Sequence, residues 1–285
     1  MSRRDIPDQA GIASPALAHT QAGLADRYRL YERSVQNPEA EVDFIARRFR
    51  CLTGRRALLL REDFCGTAAL SCEWVRRRAD HRALAVDLDP AVLAWARARN
   101  LAALPAGERA RCRLILGDVR RVRPRPADVI LAMNFSYWLL RERAALLQYF
   151  RRVRTGLVRD GVFFLDAFGG YEAFRVCSEE RAIEDEEGTF TYRWEQAYYN
   201  PIDGHLSCHI HFDFPDGSRL ERAFSYDWRL WTLPELRELL AEAGFSRVTV
   251  YWQGWNERGE ADGIFVPAEE AAADASWICY LSAQR

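Results

Sequence analysis

Five acidic or amide side chains stand at the ends of short apolar segments, and their chemistry suits the binding of a polar ligand. They are Glu62, Asp87, Asp118, Asn134 and Asp166. In an open parallel sheet, ligands bind beyond the carboxyl ends of the strands, at the switch in strand order. Asp87 follows Gly66 by about 20 residues, the spacing at which an acid after the second strand accepts hydrogen bonds from ribose hydroxyls. The alternative for Asp87, and more so for Asp89, is that the carboxylate only caps the next helix.

The segment Glu-Asp-Phe-Cys-Gly-Thr-Ala at 62–68 predicts a tight turn between a strand and a helix. It holds one glycine, Gly66, and has Phe64 and Ala68 at the positions of the first and third glycines of a nucleotide-binding turn. A dinucleotide needs those glycines because its pyrophosphate presses on the backbone and on the helix N-terminus. The turn therefore disfavours NAD and FAD more than it disfavours a cofactor without phosphate.

Apolar segments alternate with helical ones on both sides of residues 171–231. The predicted strands are 57–62, 83–88, 111–118, 127–134, 161–168, 246–253 and 276–284. The predicted helices are 37–49, 67–79, 90–104, 141–156 and one that begins after Thr232, where Glu235 completes a capping box, and ends at Gly244. Strands that are apolar nearly throughout and separated by helices predict a parallel sheet covered on both faces.

Residues 171–231 have a different pattern, in which apolar and polar residues alternate and Asp203-Gly204 and Asp216-Gly217 mark hairpin turns. This pattern predicts an antiparallel sheet inserted into the α/β core as a lid. The chain is accordingly divided into an N-terminal helical segment (1–55), an α/β core (56–170), the inserted antiparallel β-sheet lid (171–231) and the C-terminal part of the core (232–285).

The ordered set of segments resembles the class I S-adenosylmethionine-dependent methyltransferases over residues 55–168 and 232–284. The resemblance is carried by Glu62 to Ala68 at the first turn, Asp87 after the second strand, "GDV" at 117–119, "LVRDGVFFLD" before and in strand five, and "WTLPELRELLAEAGFSRVTVY" in the last helix and sixth strand. It implies a Rossmann-like, seven-stranded, mostly parallel sheet whose last strand is antiparallel. The cofactor would then be S-adenosyl-L-methionine.

The resemblance also implies a role for each matching residue in the 56–170 core. Glu62 and the turn of Phe64, Cys65, Gly66, Thr67 and Ala68 would hold the methionine end, Asp87 and Leu88 the ribose, and Asp118 and Val119 the adenine, with Asn134 beside them. Phe64 and Ala68 replace two glycines of the family's turn, which affects the detailed contacts between the turn and the cofactor. S-adenosylmethionine has no phosphate, so one glycine can be enough.

Four residues are candidates for contact with the acceptor. Asn134 and Tyr137, in "NFSYW", faintly resemble the Asn-Pro-Pro-Tyr loop of amine methyltransferases, although both prolines are missing. His209 and His211 share one face of a lid strand with Asp213 and could act as a base, since histidine titrates near neutral pH. The alternatives are that Asn134 ends a strand, that Tyr137 is core, and that the histidines lie on a solvated face.

Aromatic residues offer a wall for a flat or cationic acceptor. Tyr192, Trp194, Tyr226, Trp228 and Trp231 lie in the predicted lid, where they form either a pocket or the core of a small sheet. On the first helix, Tyr28 and Tyr31 either close over the cofactor, as N-terminal tyrosines do in some small-molecule methyltransferases, or pack against the core.

Composition narrows the function classes further. Forty basic and 41 acidic residues nearly cancel, which argues against nucleic acid as a partner, and no apolar run reaches membrane-spanning length. Every basic residue is arginine, which excludes lysine Schiff-base chemistry. The seven cysteines are scattered without a C-x-x-C pair, so neither a disulfide framework nor a metal site is expected. Reduced thiols and the lack of a signal-peptide pattern indicate a cytoplasmic protein.

The sequence therefore predicts an S-adenosylmethionine-dependent methyltransferase that N- or O-methylates a small molecule by in-line transfer. The sequence is also compatible with a protein that forms a homo-oligomer. Two alternatives remain: a nicotinamide-dependent oxidoreductase on a Rossmann sheet, and a non-catalytic module that binds S-adenosylmethionine.

Overall fold

The computed structural model describes residues 19–255 and 261–285, which form two β-sheets flanked by helices. The α-helices are α1 (Gln21–Leu24), α2 (Arg27–Val35), α3 (Pro38–Thr53), α4 (Ala69–Arg77), α5 (Pro90–Ala96), α6 (Ala106–Arg109), α7 (Arg143–Gly156) and α8 (Leu233–Glu242). The strands are β1 (Leu59–Asp63), β2 (Arg82–Asp87), β3 (Cys112–Leu116), β4 (Ala127–Ala132), β5 (Leu157–Gly169), β6 (Cys177–Asp185), β7 (Gly188–Asn200), β8 (His205–Asp213), β9 (Arg219–Arg229), β10 (Arg247–Trp255), β11 (Ala261–Pro267) and β12 (Trp277–Gln284).

The larger sheet has the strand order β11-β10-β12-β5-β4-β1-β2-β3. Strands β1 to β5 pair in parallel, and β12 enters antiparallel between β5 and β10. The mostly parallel, Rossmann-like sheet with an antiparallel last strand is confirmed. The sheet has one strand more than the seven predicted, because β11 pairs with the edge of β10 as an eighth strand. Its short segment "ADGIFVP" contains an Asp-Gly pair, which in sequence indicates a turn.

Helix boundaries follow their capping residues. At the start of α3 the Asn37 side chain accepts a hydrogen bond from the Ala40 N–H, Pro38 occupies the first turn, and Gly54 ends the helix at φ +75°. The predicted capping box of α8 is present, with Thr232 and Glu235 bonded reciprocally. The predicted N-terminal helical segment contains α1 to α3, and its residues 1–18 lie outside the described residues.

The large sheet is buried on both faces. One apolar cluster includes Phe150 of α7 and Leu239 of α8, and the other includes Phe49 of α3 and Trp74 of α4. All five residues of β1 are buried. This burial places β1 at the centre of the molecule, so the turn that follows β1 starts from a rigid position.

The smaller sheet has the order β6-β7-β8-β9, is antiparallel throughout, and lies within the predicted insertion at 171–231. Leu206, Cys208, Ile210 and Phe212 are buried on one face of β8, as their alternation predicts. Strand β6 was not predicted. Its sequence "CSEERAIED" is mostly charged and exposed, so it lacks the alternation by which a half-buried strand is recognised.

A buried ion pair lies directly below the β1–α4 turn. The Arg61 guanidinium bonds Asp63 through Nε at 2.6 Å, and both side chains are almost wholly buried. Asp63 also accepts a hydrogen bond from the Tyr149 hydroxyl, and Arg61 donates to the Val119 carbonyl. The network joins β1 to α7 and to the segment after β3.

Asp63→Asn should destabilise the protein by about 3–5 kcal/mol, because it leaves the Arg61 charge buried without its partner. Asp160→Asn is the matched control, since it breaks an ion pair between Asp160 and Arg55 at the surface and should cost less than about 1 kcal/mol. Urea denaturation of the two variants measures the difference. Equal losses would contradict the structural role of the buried pair.

Candidate active site

The turn between β1 and α4 is built from left-handed residues. Phe64, Gly66 and Ala68 have φ of 57°, 51° and 57°. Left-handed backbone is costly for residues other than glycine, so other contacts must hold it. The Cys65 N–H donates to the Val86 carbonyl, and the Gly66 N–H donates to Oδ2 of Asp87 at 2.8 Å. The end of β2 therefore fixes the turn that follows β1.

Phe64 packs behind the turn and also borders the cavity in front of it. Its ring makes an edge contact with Tyr149 of α7, with the ring centroids 5.6 Å apart. The side chain is half-buried against the core and lines the small cavity described below. The phenylalanine therefore replaces a glycine without closing the cavity.

Glu62 is a buried acid that faces the same cavity. Its Oε2 accepts hydrogen bonds from the N–H of Ser71 at 3.0 Å and from the hydroxyl of Ser71. Burial raises the pKa of Glu62 to about 7, although the bonds from Ser71 lower it. Near neutral pH this carboxyl is therefore present in both its protonated and its ionised form.

The acid at the end of β2 binds two backbone groups. Asp87 accepts from Gly66 through Oδ2 and from the Asp89 N–H through Oδ1, while Asp89 itself caps α5 through Ala91. Leu88, next to it, is 67% exposed. Asp87 thus links the turn after β1 to the open edge of the sheet near β3.

Asp118 and Val119 follow β3, further along that edge. Asp118 forms an ion pair with Arg120 at 2.7 Å and also accepts its backbone N–H, and the Arg120 side chain lowers the pKa of the carboxyl. Val119 is buried. Neither Asp118 nor Val119 lines the small cavity.

A second left-handed turn follows β4. Asn134 and Phe135 have φ of 57° and 55°, and both of their N–H groups donate to the Asp166 carboxylate, at 2.7 and 2.9 Å. Asp166 is buried in β5, and burial raises its pKa to about 7 against the effect of these two bonds. The side-chain amide of Asn134 has no hydrogen-bond partner within the described part of the chain, and it lines the cavities.

Two cavities meet at this edge of the sheet. A small one of about 140 Å³ adjoins the β1–α4 turn and includes Glu62, Gly66 and Thr67 in its lining. A larger one of about 530 Å³ lies under the lid sheet. Tyr31, Asn134 and Tyr226 line both. A ligand in one cavity would therefore contact a ligand in the other beside these three side chains.

The larger cavity has an aromatic wall supplied by the lid. Trp194, Tyr226 and Trp228 pack together, with centroids 4.4 Å apart for Tyr226 and Trp228 and 6.0 Å apart for Trp194 and Trp228. Tyr192 also lines this cavity. Trp231, by contrast, is 1% exposed and belongs to the main core.

Helix α2 closes the cavities from the other side. Tyr28 lines the small cavity and packs on Trp95 of α5, while Tyr31 stands at the junction. Burial raises the pKa of Tyr31. The helix is tied to the lid turn between β6 and β7 by Arg33, which pairs with Asp185.

Three residues predicted to contact the acceptor lie elsewhere. Tyr137 is fully buried, and its hydroxyl donates to the backbone carbonyl of Asp166 at 2.7 Å, so it supports the second turn from within the core. His209 and His211 project from the lid face opposite Ile210, away from the cavity. His209 contacts Ser225 there at 2.8 Å.

His211 is held on that outer face by two glutamates. It contacts Glu195 at 2.9 Å and also Glu221. The expectation that the histidines share a face was right, but that face is the outer one. Residues that the sequence did not single out, among them Met133, Ser136, Glu179 and Gln196, line the cavities instead.

The described residues contain neither a candidate metal site nor a candidate membrane span. Among residues 19–255 and 261–285, there is no group of three or more His, Cys, Asp or Glu side chains placed to hold a metal ion. In the same part of the chain, no helix combines the length and apolarity needed to span a membrane.

Solved structures show the same architecture. SAM-bound CalS10 of Micromonospora echinaspora, an amino pentose methyltransferase, superimposes with a TM-score of 0.65 at 18% identity, covering 90% of this chain and 95% of its own. The fold is that of an S-adenosylmethionine-dependent methyltransferase.

Two further structures with this methyltransferase fold match over similar lengths. The sugar N-methyltransferase KedS8 of Streptoalloteichus sp has a TM-score of 0.63 at 17% identity, covering 100% of this chain and 99% of its own. An S-adenosylmethionine-dependent methyltransferase of Clostridium acetobutylicum has a TM-score of 0.63 at 18% identity, covering 90% and 96%. No family model and no curated protein sequence matches the chain.

Glu62→Gln should change how the stability of the ligand-free protein depends on pH. The pKa of Glu62 is about 7 in the folded chain and about 4.5 when unfolded, so between these values the folded state binds more protons. The resulting stabilisation of the folded state is fully present at low pH. As pH rises toward 7, the free energy of unfolding falls by up to about 3 kcal/mol.

Urea denaturation of wild type and Glu62→Gln from about pH 5 to about pH 8 measures this effect. The free energy of unfolding should fall with pH more steeply in the wild type, because glutamine keeps the bond from Ser71 but does not titrate. Glu184→Gln, a change of an exposed residue of β6, is the control. Parallel curves for wild type and Glu62→Gln would contradict the raised pKa.

Proposed function

We propose that the protein is an S-adenosylmethionine-dependent methyltransferase that transfers a methyl group to a small molecule by in-line displacement. The observation that carries the proposal is the meeting of two cavities at Tyr31, Asn134 and Tyr226. One cavity adjoins the turn that binds nucleotide-like cofactors in this fold, and the other lies under the lid. This arrangement can bring a cofactor and an acceptor together in the orientation that transfer requires.

The charge of the small cavity supports S-adenosylmethionine as the cofactor. Glu62 and Asp63 line this cavity, although the charge of Asp63 is paired with Arg61, and none of the described lining residues is basic. Asp87 lies next to it and bonds Gly66. Carboxylates attract the ammonium and sulfonium charges of S-adenosylmethionine and repel a pyrophosphate, which has two negative charges. This chemistry disfavours the nicotinamide-dependent oxidoreductase.

We assign the parts of the cofactor along the sheet edge from β1 to β3. Glu62 and the turn of Phe64, Cys65, Gly66, Thr67 and Ala68 would hold the methionine end, Asp87 and Leu88 the ribose, and Asp118 and Val119 the adenine. Leu88 is 67% exposed, so the sheet edge beside it is open to a ligand that extends beyond the small cavity.

The residues at the junction would carry out the positioning that methyl transfer requires. S-adenosylmethionine supplies an activated methyl group, so alignment of the acceptor and exclusion of water do most of the remaining work. The free amide of Asn134 can accept or donate a hydrogen bond to the acceptor. Tyr31 and Tyr226 flank it and, because burial raises the pKa of each, remain neutral donors or acceptors.

A small acceptor is supported by the limited volume of the larger cavity, about 530 Å³, and by the comparison structures, which are a sugar N-methyltransferase and an amino pentose methyltransferase. The methylated atom is a nitrogen or an oxygen. A cytoplasmic location and a homo-oligomer stay predictions.

Thermal shift with S-adenosylhomocysteine and with NADH tests the cofactor. Stabilisation by S-adenosylhomocysteine alone is expected, and stabilisation by NADH alone would favour the oxidoreductase. A metabolite library incubated with S-adenosylmethionine then tests turnover through the formation of S-adenosylhomocysteine. Cofactor binding without turnover of any compound would support the non-catalytic module.

Asp87→Ala should weaken binding of S-adenosylhomocysteine by about tenfold or more, because it removes the proposed ribose acceptor and the bond that fixes Gly66. Isothermal titration calorimetry measures the affinity. The matched control is Asp89→Ala, which removes the cap of α5 and should cost about 1 kcal/mol of stability with little effect on affinity. Unchanged affinity in Asp87→Ala would contradict the ribose assignment.

A further inference from the structure

On its aromatic side, the larger cavity has one carboxylate without an ion-pair partner among the described residues. Its lining residues include Glu172, Glu179, Glu180 and Arg181. Glu172 pairs with Arg175, and Glu180 lies opposite Arg193, so its side chain projects from the other face of the lid. The remaining lining is mostly aromatic and aliphatic, and together with Glu179 it favours a ligand that combines an apolar frame with a positive charge.

The position of Glu179 is set by strand register. Glu179 of β6 lies directly opposite Trp194 of β7, and Arg181 lies opposite Tyr192. Side chains opposite each other in an antiparallel pair project from the same face, so the Glu179 carboxylate stands beside the aromatic wall on the cavity side. It forms no ion pair or hydrogen bond with any other described residue. Its charge is therefore available to a ligand.

The Arg181 guanidinium is held by contacts within the protein. Its guanidinium donates to the Ser34 carbonyl at the end of α2 and lies over the ring of Tyr192, 5.6 Å from its centroid. The arginine thus fastens the lid to α2, whereas the Glu179 carboxylate, two residues before it, has no such contact within the described part of the chain.

The aromatic wall reinforces the same preference. The faces of tryptophan and tyrosine rings attract ammonium groups, most strongly where water is excluded. Trp194 and Tyr226 have their centroids 6.1 Å apart, and Trp228 stacks on Tyr226. Tyr226 also lines the junction with the small cavity, so a cation held on this wall lies on the way to the methyl group.

We infer that the methyl acceptor is an amine on an apolar frame, that it enters the cavity as an ammonium ion, and that Glu179 is the residue that selects it over a neutral hydroxyl compound. The inference rests on the proposed function and specifies the substrate class of the same site. Glu179 is a specificity residue at the cavity wall.

For such an acceptor, the methyl group moves from sulfur to nitrogen. The ammonium ion first loses one proton to water at the cavity mouth, which frees the nitrogen lone pair. That pair forms the N–CH3 bond while the C–S bond breaks and its electrons stay on sulfur. The positive charge passes from sulfur to nitrogen, and the product leaves as a methylammonium ion.

Matched amine and alcohol pairs test the inference on the protein saturated with S-adenosylhomocysteine. Benzylamine with benzyl alcohol, 2-phenylethylamine with 2-phenylethanol, and cyclohexylamine with cyclohexanol share their frames within each pair and differ in charge near neutral pH. Calorimetric titration gives the preference for the amine in each pair. We expect at least one pair to show about tenfold tighter binding of the amine.

Glu179→Gln should reduce that preference about fivefold or more and leave the affinity for S-adenosylhomocysteine unchanged. Glu184→Gln, on the other face of the same strand, is the matched control and should retain the preference. Both residues are exposed on an edge strand, so neither change threatens the fold.

The outcomes separate this inference from the proposed function. If no pair shows a preference for the amine, or if the preference is the same in Glu179→Gln and wild type, the inference is overturned while binding of S-adenosylhomocysteine still supports the methyltransferase. If S-adenosylhomocysteine itself does not bind, the proposed function fails. An alcohol bound more tightly than its amine would point to oxygen as the acceptor atom.

Discussion

The bond between the Asp166 carboxylate and the backbone of Asn134 and Phe135 is the interaction on which the candidate site depends. Each of these residues is in the left-handed region, at a cost of about 1–3 kcal/mol for a residue other than glycine. The carboxylate offsets that cost because each of its oxygens accepts one of the two N–H groups. Without it the chain after β4 would take another course, and Asn134 would not stand where the two cavities meet.

The same device occurs at the neighbouring strand ends, where acids that face the cleft also hold the backbone that shapes it. Asp87 fixes Gly66, and Glu62 fixes the first turn of α4 through Ser71. Ionised side chains are stabilised by such N–H groups, yet burial acts against the charge, and for Glu62 and Asp166 the balance leaves the pKa near 7. The edge of the sheet is therefore acidic for a structural reason as well as for ligand binding.

Most of the fold could be predicted because its strands are uniform apolar runs and its helices have recognisable caps. The polar strand ends could be found for the same reason. Their partners could not, since the bond from Asp166 to Asn134 joins residues 32 positions apart, and nothing local indicates it. Strand β6 was not predicted because its exposed charges hide the alternation of a half-buried strand. The sequence correctly placed His209 and His211 on one face of β8, but it did not show which face of the lid meets the cavity. That side is decided only when the lid docks on α2.

The two cavities are formed by different parts of the chain. The turns that adjoin the small cavity belong to strands β1, β2 and β4, whose positions are fixed by the buried sheet. The wall of the larger cavity comes from lid strands that contact the core mainly through Trp228 and its neighbours. Substitutions on β6 or β7 can therefore change what the larger cavity accepts without disturbing the turns. Because Tyr226 reaches the junction from the lid and Tyr31 from α2, the site is complete only when both elements are in place.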